Sequence, residues 1–164
     1  MIRFAQMGRL AVSALLAALA LAAASTPSSA SAATLLAGKP VSLSNGYGKA
    51  QISRRGSLLT VVGWGRIRIV DLPNGRAPVR SCNKPLRKLN ATTWTARGRD
   101  VRCRVWGMGP WRVTLLGRRI HASGVLRGFL KLDGRDSGRT GTYKIGDAPR
   151  KAWPRDLATF RLGP

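Results

Sequence analysis

In the stretch GRIRIVDL, residues 65–72, arginine and isoleucine alternate one for one. DVRCRVWG, residues 100–107, sets Val101, Cys103 and Val105 against Arg102, Arg104 and Trp106 in the same way. Side chains of a β-strand point to opposite faces with a period of two, so the pattern predicts strands with one buried and one wet face. A helix would need its apolar residues every three or four positions. Trp111, Val113 and Leu115 likewise oppose Arg112, Thr114 and Leu116, and Leu126, Leu130 and Leu132 oppose Arg127, Phe129 and Lys131.

Further runs rich in β-branched and aromatic residues, such as SLLTVVGWG (57–65), GTYKIG (141–146) and LATFRLG (157–163), are bounded by glycine and by turn segments such as DLPNGRAP. The expectation is an all-β fold, an antiparallel β-sandwich or barrel-like domain of about eight to ten short strands. An irregular β-solenoid is the alternative, because Gly-Arg recurs at 65, 75, 98, 117, 134 and 138. Those intervals are too uneven for coils of one size, and the pairs read as turns.

Residues 1–32 read as a signal peptide rather than as part of the fold. Arg3 and Arg9 precede an apolar core from Leu10 to Ala24 that is short for a membrane span, and Ala30-Ser31-Ala32 gives a small-x-small cleavage site. Residues 33–164 then form a single secreted domain with no transmembrane segment, expected to be monomeric in the cell envelope or outside the cell.

The charge is one-sided. Six aspartates and no glutamate stand against 29 lysines and arginines, 22 of them arginine. Without Arg3 and Arg9 the chain still carries +21, enough to oppose its own compaction unless counterions or an anionic partner screen it. A guanidinium is a planar fork suited to phosphate, sulfate and carboxylate. Nucleotide composition alone can raise arginine over lysine, but it does not remove acids.

Cys82 and Cys103 form an even pair in an exported chain, which predicts a disulfide. Zinc is the rival, but with His121 the chain offers two Cys and one His, short of a closed site. No catalytic constellation emerges. His121 falls on the wet side of its strand, Ser123 sits in no nucleophile elbow, and the acids of DGRDSG have the wrong spacing for a calcium loop. Asn90-Ala91-Thr92 matches a glycosylation acceptor that arises often by chance. No metal or cofactor is expected.

Of the five tryptophans, Trp111 falls on the core side, Trp106 on the basic side, and Trp64, Trp94 and Trp153 near glycine or arginine. An exposed indole beside guanidinium groups can stack on a ring while they hold its charges. The expected site is a basic face of Arg66, Arg68, Arg102, Arg104, Arg112, Arg118 and Arg119 with Trp106 as a stacking platform. Its ligand class is an anionic polysaccharide, a phosphate-bearing envelope polymer or non-specific nucleic acid, since no sequence-reading nucleic-acid motif is present. The alternatives are a structural or protein-interaction domain with no ligand site, and a small secreted hydrolase that would need an aspartate within reach of His121.

From Trp111 to Pro154 the chain runs WRVTLLGRRIHASGVLRGFLKLDG, then GTYKIGDAPRKAWP. This resembles a group of small exported actinobacterial proteins with glycine-bounded strands, a G-x-Y and a closing W-P in the C-terminal half. The resemblance implies an exported all-β domain and carries over no catalytic or binding residue. In it, Asp133–Arg139 is an extra turn between strands.

Overall fold

The computed structural model describes residues 38–134 and 141–163, so the leader expected at 1–32 and most of the DGRDSG turn lie outside it. The described residues form seven antiparallel strands and no helix, as the alternation required. They are β1 (Lys39–Asp71), β2 (Val79–Cys82), β3 (Arg87–Asn90), β4 (Thr93–Asp133), β5 (Thr142–Ile145), β6 (Lys151–Ala152) and β7 (Ala158–Leu162). Two of these are far longer than the short strands read from the sequence.

β1 and β4 are the arms of one long hairpin that has rolled up on itself. Ala50 pairs with Leu115 on one side and with Leu132 on the other, 17 residues farther along β4. Leu58 pairs with both Val105 and Gly124, and Ile67 with both Ala96 and Leu115. A flat hairpin gives each residue one partner. Two partners from the same strand require the hairpin to coil, which is the jelly-roll route to burying a sheet's edges.

The coil makes two layers. In the front layer segments 39–47, 118–126, 56–64 and 99–107 lie side by side, with β5 and β6 beyond the first and β2 beyond the last. In the back layer 48–54, 111–117, 65–71 and 93–98 lie side by side; β3 joins one edge, and 128–133 with β7 the other. The alternating apolar residues of both layers meet in one core around Trp111, Ile52, Leu58, Ile67, Val105, Leu115, Ile120 and Leu130. Thr60 and Thr95 are also buried, and their hydroxyls donate to the His121 and Ile67 carbonyls at 3.0 Å each.

The Gly-Arg pairs at 65, 98 and 117 are not turns between strands. All three glycines are strand residues with φ of 153°, 134° and 146°. They bend the chain from one layer into the other without breaking its ladder, which is why many expected short strands are continuous. At Gly65 and Gly117, which pair with each other, the backbones approach so closely that a Cβ on Gly65 would strike the Leu116 carbonyl oxygen and one on Gly117 the Trp64 carbonyl oxygen. Gly117→Ala is expected to cost at least about 3 kcal/mol, from clash and disallowed φ together, as read by urea denaturation. A loss below about 1 kcal/mol would mean that the corner yields.

The disulfide is formed, with Cys82 and Cys103 directly opposed across β2 and β4 at a Cα–Cα distance of 4.1 Å. It removes both thiols from any zinc site. Asn83 continues the pairing past it: the Arg102 backbone N–H donates to Asn83 Oδ1 at 2.8 Å, and Asn83 N–H donates to the Arg102 carbonyl at 3.0 Å. β2 itself contributes four residues, so the covalent link fixes an edge that its own ladder holds weakly. Cys82→Ala/Cys103→Ala should lose about 3 kcal/mol of unfolding free energy, the loop-closure value for a bridge of this span.

Candidate anion-binding face

Cross-strand partners share a face, so the register places every candidate side chain. On the outer side of the back layer one row runs Arg97, Arg66, Leu116, Lys49, Asp133. The next runs from the buried Thr95 through Arg68, Thr114, Gln51, Lys131 and Thr159, and the third from the buried Thr93 through Val70, Arg112, Ser53, Phe129 and Arg161. Rows two residues apart on a strand are separated by about 7 Å. Arg66 with Arg97, then Arg68, then Arg112 therefore step along the layer as a basic track roughly 14 Å long. Lys49, Lys131 and Arg161 form a second track beside it. Thr114, Gln51 and Ser53 lie between the tracks as neutral hydrogen-bonding groups.

At the head of the first track Arg66 and Arg97 are direct cross-strand partners. Their Cβ atoms stand about 5 Å apart, a placement in which like charges destabilise a sheet. Among the described residues neither guanidinium has a hydrogen bond, an ion pair or a ring contact. Between them lies an open depression of about 380 Å³ lined by Gly65, Arg66, Arg97, Leu116 and Gly117. Its lining is almost wholly apolar, so the charged ends of Arg66 and Arg97 lie outside it, free to donate bidentate hydrogen bonds to an oxyanion at the surface.

The eight residues expected in one site do not share a face. Arg66, Arg68 and Arg112 are on the back layer, whereas Arg102, Arg104 and Trp106 are on the outer side of the front layer, opposite Val61, Leu59 and Ser57. Arg118 and Arg119 lie at the corner between the layers. Arg118 sits over the Tyr47 ring at 5.4 Å. Arg119 adopts φ 52°, as does Asp100; both lie across from Gly63, which the pairing skips between Val62 and Trp64 without a change of register. The single basic face is thus corrected to two. Alternation decides whether a side chain points out, but not which layer carries it, and the chain changes layer between Arg66 and Arg102.

Arg97 was missed because Gly98 reads as a turn that ends the strand. The signal available was the chain of alternating residues on either side of that glycine. His121 is exposed as expected, and its Nδ1 accepts the Asn45 backbone N–H at 3.5 Å. Among the described residues no aspartate bonds to it.

The opposed arginines give a stability test. Arg97→Thr, which exchanges one of two facing cations for a strand-forming neutral residue, should stabilise the fold by about 0.5 kcal/mol at low ionic strength, with the gain shrinking in high salt. A loss of stability in urea denaturation would show that Arg97 holds the edge by packing. No protein-family model, curated protein or solved structure matches the chain, so what this face binds has to be argued from its own geometry.

Proposed function

We propose that the chain is an exported, non-enzymatic binding domain that holds a linear anionic polymer along the back layer. The observation that carries this reading is the Arg66–Arg97 pair: two directly opposed cations that have no ion pair, hydrogen bond or ring contact among the described residues. A sheet gains nothing from such a pair by itself, whereas a phosphate, sulfate or carboxylate held by both forks turns the repulsion into binding. The track through Arg68 and Arg112 extends the contact to further anionic groups of the same chain, with Thr114 and Gln51 available to its neutral parts. The disulfide fits an oxidising compartment outside the cytoplasm. Among the described residues no helix is long and apolar enough to cross a membrane. The ligand class is an anionic polysaccharide or a phosphate-bearing polymer of the envelope, and nucleic acid would bind without sequence preference.

The test compares two variants that lose the same charge. Arg66→Ser/Arg97→Ser/Arg112→Ser removes three of the track's four arginines, and Arg102→Ser/Arg104→Ser/Arg155→Ser removes three cations elsewhere. On heparin the track variant is expected to elute at clearly lower salt than its counterpart, while the two co-elute from a sulfonate exchanger. With single-stranded DNA as probe, the track variant should reduce the slope of log affinity against log salt by about 2, three lost contacts at roughly 0.7 each. Equal behaviour of the two variants on heparin would reduce the binding to bulk charge and overturn the proposal.

A further inference from the structure

The outer side of the front layer differs in kind. One row across it runs Val79, Trp106, Ser57, Val125, Pro40. The next contains Ser81, Arg104, Leu59, Ser123, Ser42 and Lys144, and the third Arg102, Val61 and His121. Val79 is 62% exposed, Trp106 52%, Val125 43% and Leu59 41%, so half of the large apolar side chains that stand exposed among the described residues share this patch. Alternation along β4 continues it to Met108, also exposed. The stripe crosses four neighbouring segments of β2, β4 and β1, roughly 15 Å at the usual strand spacing.

Arginine borders the stripe on both sides. Arg104 and Arg102 follow it at steps of about 7 Å, and on the other side Arg55 stands exposed two residues before Ser57, at the corner before Gly56. None of the three rows contains an acid. Trp106 is also unlike the other indoles near the surface. Arg99 covers Trp64 at 3.6 Å and Arg80 covers Trp94 at 3.4 Å, whereas Trp106 has no ring contact or hydrogen bond among the described residues.

We propose that this face is a peripheral membrane-binding surface for bilayers that contain anionic phospholipid. Apolar side chains of an interfacial surface sink about 5–10 Å into the boundary between headgroups and acyl chains. The long arginine side chains beside the stripe can then keep their guanidinium groups at phosphate level while their stems lie against the apolar ring. Indole rings favour that same level, with the apolar ring inward and the N–H toward water. A planar anionic surface meets the stripe and both arginine borders at once. A second copy of this chain would instead bring the same uncompensated cations against them. The inference does not rest on the polyanion reading, which concerns the other layer.

The experiment uses the chain from residue 33, since the core of the described residues lies between Val41 and Leu162 and the apolar segment 10–24 would itself bind lipid. Co-sedimentation is measured with phosphatidylcholine–phosphatidylglycerol vesicles and with pure phosphatidylcholine vesicles, for wild type, Trp106→Ser and the Arg66→Ser/Arg97→Ser/Arg112→Ser variant. Binding is expected to the anionic vesicles only. Trp106→Ser should weaken it about tenfold or more, the value of one buried aromatic ring, with an unchanged melting temperature because the side chain stands outside the core. The track variant should bind less but keep the same dependence on Trp106. Equal sedimentation of wild type and Trp106→Ser would assign the attraction to net charge and overturn the membrane surface. So would a lack of vesicle binding, or a Trp106-dependent complex with an acidic amphipathic peptide of glutamate and leucine in its place, which would make the face a protein dock.

Discussion

The structure hangs on the backbone-to-backbone approach of Gly65 and Gly117. There the two arms of one hairpin turn from the front layer into the back layer while still hydrogen-bonded, and neither glycine has room for a Cβ. Because the ladder is continuous through the corner, each arm finds partners on both of its edges. The long inner edges are thereby consumed, leaving short segments such as β2, β3, β6 and β7 at the margins. A chain of net charge +23 is poorly placed to rely on surface ion pairs. This one relies on continuous pairing, one apolar core and a disulfide at the β2 edge.

That economy has an electrostatic consequence. Rolling the hairpin brings arginines from distant sequence positions into direct opposition, most acutely Arg66 and Arg97, and neither has an acid as a cross-strand partner. Some of the excess is quenched internally, by stacking of Arg99 on Trp64, Arg80 on Trp94 and Arg54 on Phe129. The rest stands in rows on the back layer, where the fold bears the repulsion that an anionic ligand would relieve. The front layer relieves its arginines differently, by spacing them around an apolar stripe.

Much of the interior was legible from alternation. Val101, Cys103 and Val105, Trp111, Val113 and Leu115, and Leu126, Leu130 and Leu132 are all buried, and the arginines between them point outward. A period of two is a local property that survives whatever the strand pairs with. The pairing of Cys82 with Cys103 was legible too, since two cysteines admit one bridge. The coil was not. A glycine that bends a strand at positive φ and a glycine that ends one leave the same mark in the sequence.

The sequence by itself determined an all-β chain, which side chains of each strand are buried, the disulfide and a strong excess of cations. Only the tertiary structure decided that the strands are two long arms, that Arg66, Arg68 and Arg112 part company from Arg102, Arg104 and Trp106, and that Arg97 joins the first group. Which residue lies beside which across a sheet depends on register between segments far apart in the chain, from Val70 paired with Thr93 to Lys39 paired with Leu126. Register is set by the closing of the whole core around Trp111 and by the glycine corners, and no local pattern encodes it.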